Sequence, residues 1–387
     1  MKTVAVIFGG KSAEHDVSIV TAIASIIKPL ELTKKYRVEA VYVAKNGAWF
    51  WDDKLKDIKL FTSGEIDKFT AKARPVSVQF DGGMTLVKPG PFPRHRKIDV
   101  VFPAMHGTYG EDGSLMGVLD MAGVAYVGCG LEASAIAMDK AATKQICMAH
   151  GLPSNKFLVF NAQEFTEDAL SLLKRIIKEL KYPLFVKPVH LGSSIAIARV
   201  TNDTELRNAI EVAMRFDDKI IVEEAVSNLI EVTLPIMGND ELAPAYLEQP
   251  LVSADNFFDF ETKYMNGGKK GGAKAEGAKR GAQGYSKIPA DIPKDLYEKA
   301  EKVGLGVYKA LGCTGIARVD MLINSKTKEV FVNEVNPLPG SLYAHNWRAK
   351  GISNTELVTR LIELAEERHA SRKNLSTAFS TNFLKQF

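Results

Sequence analysis

The residues best placed to do chemistry are Arg318-Val319-Asp320 and Asn333-Glu334-Val335-Asn336. In each group one apolar residue separates two polar ones, the spacing that puts alternate side chains on one face of a strand. If residues 316–323 and 330–335 form adjacent strands, Asp320, Glu334 and Asn336 set three hard oxygen donors on one face beside a guanidinium. Such a set suits Mg²⁺, which takes one or two carboxylates and shares the rest of its sphere with substrate phosphates. A plain solvent-facing strand pair would also be polar, but it has no need of the Pro337-Leu338-Pro339-Gly340 turn that follows.

Three further groups carry a chemical and a structural reading side by side. Lys187-Pro188 and Gly192-Ser193-Ser194 offer a lysine, two hydroxyls and turn N–H groups to a polyphosphate, yet Gly and Ser are also ordinary turn residues. Glu223, after the apolar Ile220-Ile221-Val222, and Glu231 could accept from an adenine amino group or ribose hydroxyls, or simply end strands in water. Gly9-Gly10-Lys11-Ser12-Ala13-Glu14 meets neither the P-loop nor the dinucleotide spacing. It reads as a tight turn opening a helix, where Glu14 either complements the helix dipole or holds a substrate ammonium. In His106-Gly107-Thr108-Tyr109-Gly110-Glu111-Asp112-Gly113, three glycines and three ionisable residues follow an apolar run; the bland reading is a turn capped by Asp112 or Ser114.

The elements that must hold these groups fall into three regions. Residues 4–8 form a β-rich run, and Val17, Val20, Ala24 and Ile27 recur at helical spacing. With buried-strand candidates at 38–43 and 100–102, they predict a parallel sheet with crossover helices in a domain spanning 1–127. Residues 131–150 and 169–180 read as helices, and 184–187, 195–200 and 220–223 as strands, giving a small α+β unit over 128–225. The region 226–387 opens with a strand at 231–237 and carries helices at 296–311 and 355–367. Within it, residues 265–284 contain seven glycines and many lysines, which bury little and lose much backbone entropy on ordering. They predict the tip of a surface loop.

Composition narrows the class. With 387 residues, 46% hydrophobic and 25% charged, the chain has material for two or three cores. Fifty basic against 46 acidic residues give a net charge of only +4, no footing for a nucleic-acid binder. Cys129, Cys147 and Cys313 are odd in number and far apart, so neither a disulfide framework nor a zinc site is expected. No apolar run approaches about 18 residues, and the run at 4–8 is too short for a signal-peptide core. A cytoplasmic protein with no membrane partner is the expectation.

Taken in order, the motifs resemble the D-alanyl-D-alanine ligase family of ATP-grasp enzymes. The residues carrying the resemblance are Gly9 to Ser18, His106 to Gly113, Ala133-Ser134-Ala135-Ile136-Ala137-Met138-Asp139-Lys140, Lys187-Pro188 with Gly192-Ser193-Ser194, Phe258-Asp259-Phe260-Glu261-Thr262-Lys263-Tyr264, Arg318-Val319-Asp320, and Glu334-Val335-Asn336 with Pro339-Gly340. It extends from Gly9 to about Ile362. The resemblance implies a three-domain ATP-grasp fold, an α/β and α+β architecture with an N-terminal parallel sheet and a lid loop at about 258–288. It implies ATP as co-substrate, Mg²⁺ or Mn²⁺ held by Asp320, Glu334 and Asn336, and D-alanine as substrate; it leaves room for a homodimer. Lys140 and Lys187 would meet the nucleotide phosphates, Glu223 and Glu231 the adenine and ribose, and Ser193 and Lys263 would also belong to the ATP site. Glu14 would hold the first ammonium and join Ser193 and Tyr264 in a hydrogen-bonded triad. Arg318 and the Gly340 N–H would serve the oxyanion, His106 would lie near the first carboxylate, and Ser341 and Leu342 near the second substrate.

The chain also departs from the family pattern: Pro337 follows Asn336 in place of Thr, Met116 replaces Gln, His190-Leu191 replace a polar pair, Ala196 stands where Gly is common and Phe258 where Tyr is frequent. The departures bear on the second substrate more than on ATP. The expected activity is therefore ligation of two D-alanines through an acyl phosphate for peptidoglycan precursor synthesis. A ligase with a different second substrate and a non-catalytic nucleotide-binding protein are the alternatives.

Overall fold

The computed structural model describes residues 1–192, 194–251, 286–373, 375 and 383–387. The expected lid at about 258–288, with its tip at 265–284, falls almost wholly outside them, as do Ser193, Lys263 and Tyr264.

The first region contains β1 (Lys2–Gly9), β2 (Tyr36–Val43), β3 (Trp49–Trp51), β4 (Ser77–Phe80), β5 (Met84–Lys88), β6 (Arg94–Ile98), β7 (Val100–Pro103) and β8 (Ala125–Tyr126). The main sheet runs β3-β2-β1-β7-β8. Its β1 pairs in parallel with β2 and β7, as the apolar runs predict, and β7 pairs in parallel with the short β8, which they do not mark. Val4, Ala5, Val6, Ile7 and Phe8 are fully buried, because a parallel sheet is covered on both faces. Two features depart from the expectation: β3 is an antiparallel edge strand, and β4-β5-β6 form a second, antiparallel sheet. The polar, largely exposed β4 and β6 offer no apolar run to read. The first helix proceeds as His15–Val20, a π-wound Thr21–Ile27 and Lys28–Thr33.

The second region is a four-stranded antiparallel sheet of order β11-β10-β12-β9, built from β9 (Phe157–Asn161), β10 (Leu184–Pro188), β11 (Ala198–Val200) and β12 (Lys219–Glu224). The strand expected at 195–200 shortens to β11 because Ser194 and Ala196 take left-handed backbone, φ 58° and 56°. The helix expected over 131–150 is two, Leu131–Met138 and Lys140–Ala149. Asp139 breaks it: its backbone is extended, and its carboxylate accepts the Ala142 N–H at 2.8 Å as an N-cap. The helix expected from 169 is preceded by a further helical segment from Ala162, the two separated by a kink at Asp168, whose backbone is non-helical (φ −149°, ψ 80°) and whose carboxylate accepts the Ser171 N–H at 2.9 Å.

The third region contains β13 (Leu229–Gly238), β14 (Leu242–Pro244), β15 (Gln249–Pro250), β16 (Ser286–Lys287), β17 (Gly315–Asn324) and β18 (Glu329–Asn336). Its main sheet runs β14-β13-β17-β18 and packs on helix Lys294–Ala310 through Leu296, Ala300, Val303 and Val307. The last long helix, Asn354–Lys373, returns to the first region: Leu357, Val358, Leu361 and Ile362 share one core with Val4, Val6, Phe8 and Phe102. Arg368 fastens that return by donating to the carbonyls of Gly128 and Tyr126 and to the Thr314 hydroxyl.

Candidate active site

Strands β17 and β18 are antiparallel neighbours, with Asp320 opposite Glu334 and Arg318 opposite Asn336. Cross-strand partners project to the same side, so the four polar side chains share one face, as the two-residue spacing predicts. Thr233 of β13 lies opposite Asp320, which puts Glu231, two residues earlier, on that face as well. Asp320 accepts from Arg318 Nε at 2.7 Å and Nη2 at 2.5 Å, and from Asn336 Nδ2 at 3.1 Å. Burial disfavours the guanidinium charge, but the Asp320 carboxylate outweighs it and raises the Arg318 pKa. On its other side Arg318 meets the Tyr343 ring, 5.0 Å from the centroid, and burial pushes the Tyr343 phenol up to about 12. The donor set offered by Asp320, Glu334 and Asn336 is all oxygen and contains two carboxylates, which fits Mg²⁺ or Mn²⁺ and not a thiol- or imidazole-seeking metal.

Lysines approach this face from the second region. Lys140, the first residue of its helix, lies with Nζ 3.6 Å from Glu334 Oε2 and donates to the Leu191 carbonyl at 2.6 Å. Lys187, near the end of β10, reaches Asn333 Oδ1 at 3.3 Å and Glu223 Oε2 at 2.6 Å. Glu223 is buried, and its second oxygen pairs at 3.1 Å with Lys144, which is 0% exposed. Burial alone would raise the Glu223 pKa; Lys144 and Lys187 outweigh it and bring it down to about 2. Burial in turn lowers the Lys144 pKa. The Glu223 side chain is thus engaged by two lysines. Lys144 escapes the motif reading, although its signal is present: it follows Lys140 by four residues, one turn along the same helix face.

Glu14 stands where the first and second regions meet. A Cβ on Gly107 would lie 2.5 Å from Ser12 Oγ and 2.9 Å from Glu14 Oε2, and one on Gly192 would lie 3.2 Å from Glu14 Oε2. Gly107 also has φ +70°, so both space and backbone demand glycine there. The carboxylate therefore sits between the His106-Gly107 corner and Gly192. His106 is buried, 3.6 Å from Glu111, and shares Thr21 Oγ1 with the Ser341 N–H, at 2.9 and 3.1 Å. Burial opposes the charged imidazole of His106, but Glu111 outweighs it and raises the pKa. Glu111 also accepts the Gly107 N–H at 2.6 Å, and the cap anticipated at Asp112 or Ser114 is Gly113, with Asp112 accepting from the Ser114 N–H. Thr21 had no signal in the sequence; the π-wound stretch delivers it.

After Gly340 the chain takes three consecutive left-handed residues, Ser341, Leu342 and Tyr343, with φ 52°, 55° and 51°. Non-glycine residues resist that region, at about 1–3 kcal/mol each. Surrounding contacts hold them: Leu342 is fully buried and its N–H donates to the Pro339 carbonyl at 2.8 Å, Ser341 is tied to Thr21, and Tyr343 lies on Arg318. Beyond the turn, His345 bonds Glu248 at 2.8 Å. Burial would raise the Glu248 pKa, and His345 outweighs it and lowers it.

An antiparallel sheet with a lysine-bearing helix, joined through those lysines to a carboxylate-bearing sheet and placed behind a parallel-sheet region, defines the ATP-grasp class. Models of the D-ala D-ala ligase N-terminus and C-terminus match residues 3–129 and 146–363, and the chain belongs to the D-ala D-ala ligase family. A D-alanine–D-alanine ligase of Chloroherpeton thalassium is 39% identical over 381 residues, covering 96% of this chain and 98% of that one. Among solved structures, the D-alanine-D-alanine ligase from Coxiella burnetii matches with TM-score 0.78 at 28% identity, covering 96% of each chain. The VanG D-Ala:D-Ser ligase from Enterococcus faecalis matches with TM-score 0.77 at 31% identity, covering 94% of this chain and 99% of that one.

Proposed function

We propose that this chain ligates two D-alanine molecules to D-alanyl-D-alanine in the cytoplasm, consuming ATP through an acyl phosphate, to supply peptidoglycan precursors. The observation that carries the reading is the pairing of Asp320 with Glu334 and of Arg318 with Asn336 on one face, with Lys140 at Glu334. Three working units follow: 1–127 for the first substrate, 128–225 for nucleotide, and 226–387 for catalysis.

A carboxylate does not acylate an amine at neutral pH because oxide leaves poorly. In the first step a D-alanine carboxylate oxygen attacks the γ-phosphorus and ADP leaves. In the second the other amine attacks the acyl carbon, phosphate leaves, and the amine gives up its proton. Glu14 holds the first ammonium, with His106 near the first carboxylate. Lys140, Lys187, Ser193 and Lys263 orient and neutralise the phosphates, and phosphoryl transfer needs little else from the protein. Glu223 and Glu231 belong to the nucleotide side, Glu223 through Lys187. Asp320, Glu334 and Asn336 hold Mg²⁺ or Mn²⁺, which when bound adds neutralisation of the developing phosphate charge. Arg318 and the Gly340 N–H meet the oxyanion of the second step. Ser341 and Leu342 border the second substrate, and Tyr264 joins Glu14 and Ser193 to close the site against water.

The strained turn at 341–343 and the His345–Glu248 pair beside it favour a second reading, ligation of D-alanine to a different D-amino acid. Phosphate release from ATP across a panel of D-amino acids, with the product identified by mass, tests both. D-alanyl-D-alanine as the main product is expected; a mixed dipeptide in excess selects the second reading, and phosphate release with no dipeptide rejects both.

A further inference from the structure

His190 belongs to none of the roles above, yet three elements converge on its ring. It follows β10 by two residues and precedes the Gly192 turn. Its Nδ1 lies 3.0 and 3.1 Å from the two Asp217 carboxylate oxygens, and its backbone N–H donates to Asp217 Oδ2 at 2.7 Å. Its Nε2 lies 3.5 Å from Asp139 Oδ2, the oxygen that also receives Lys219 Nζ at 2.6 Å. Asp139 caps the helix that starts at Lys140. Lys140 in turn closes the circuit, its N–H donating to the Val189 carbonyl at 3.3 Å and its Nζ to that of Leu191 at 2.6 Å. A serine or asparagine at 190 could reach one carboxylate; the imidazolium bridges two.

Resting on the proposed function, we infer that His190 is a positioning residue for the nucleotide: its ring ties the foot of the glycine turn and β12 to the helix cap that presents Lys140, and so sets the affinity for ATP. The charged groups around the ring are Asp217 and Asp218 from the turn into β12, Lys219 at its start, and Asp139 with Lys140 at the helix. The carboxylates of Asp139 and Asp217 raise the His190 pKa to about 9. The clamp is therefore complete at neutral pH and comes apart as pH rises through about 9.

The test titrates the full-length protein with AMP-PNP and Mg²⁺ by calorimetry from about pH 7 to about pH 10, comparing wild type, His190→Asn and His190→Arg, each checked for folding by circular dichroism. At neutral pH, H190N should bind about tenfold more weakly, the worth of one charge-assisted hydrogen bond, with kcat at saturating ATP little changed. Wild type should lose affinity through about pH 9, whereas H190R, which keeps its charge, should hold it. H190N equal to wild type, or H190R falling off in parallel with it, overturns the inference while leaving the ligase reading intact. A wild type that neither binds AMP-PNP nor turns over D-alanine overturns that reading and this inference with it. Should H190N not fold, Asp217→Asn removes the partner charge and is held to the same expectations.

Discussion

At Glu334 a single charge separates two chemically similar side chains. Glu334→Gln keeps the shape but lowers the charge of the oxygen cluster facing Lys140. A bound divalent ion contributes several kcal/mol to the transition state, and about 3 kcal/mol is a hundredfold in rate. Turnover should fall by that order without loss of fold; near-normal phosphate release at limiting Mg²⁺ would show that Glu334 is no ligand. Arg318→Met tests the oxyanion role, where losing one donor costs about 10²–10³ in kcat. A drop under about tenfold would make Arg318 chiefly the partner of Asp320, which it grips with two nitrogens. These residues were legible in the sequence because strand periodicity alone decides which side chains share a face. The engagement of Glu223 was not, since spacing puts Lys144 on the face of Lys140 but only the docked helix shows it buried against Glu223. Ser193, Lys263 and Tyr264 lie outside the described residues, so their expected roles rest on the resemblance.

The helix Lys140–Ala149 does two jobs, presenting Lys140 at its first turn and burying Lys144 one turn on. Beyond its ion pair, Lys144 donates to Asn155 Oδ1 at 2.7 Å and to the Val332 carbonyl at 3.1 Å, stitching the helix to β18. Breaking a buried pair by removing one partner typically costs about 3–5 kcal/mol. Since Lys187 still faces Glu223, Lys144→Met should sit at the low end in urea unfolding, and adding Glu223→Gln should restore part of the loss. An unchanged midpoint for K144M would mean the buried ammonium contributes nothing net. The pH dependence has a definite sign. The folded Glu223 pKa, about 2, lies below its usual 4.5, so the unfolded chain takes up the proton first. Its contribution is complete above about pH 4.5 and disappears as pH falls toward about 2. The capping Asp139 was the least legible part of this element, because apolar periodicity runs through it without a break while its backbone does not.

The whole molecule closes on itself through contacts between residues more than three hundred positions apart. The parallel pairing at the centre of the first sheet could be read from runs of apolar residues, but the return of helix Asn354–Lys373 into the first core could not: its apolar stripe names no partner. Near the site the same closure narrows to one hydroxyl, Thr21, shared by His106 and the Ser341 N–H. The arrangement links the face proposed for the first D-alanine to the strained turn proposed for the second, without touching the lysines of the second region. Thr21→Val keeps the volume and removes the hydroxyl, leaving buried polar groups short of a partner at about 1–3 kcal/mol each. The KM for D-alanine should therefore rise about tenfold or more while AMP-PNP affinity stays within about twofold of wild type. Parallel losses in both would mean that Thr21 supports the fold as a whole. No change in either would mean that the first and third regions are held in register by their shared apolar core alone, with the hydroxyl a bystander.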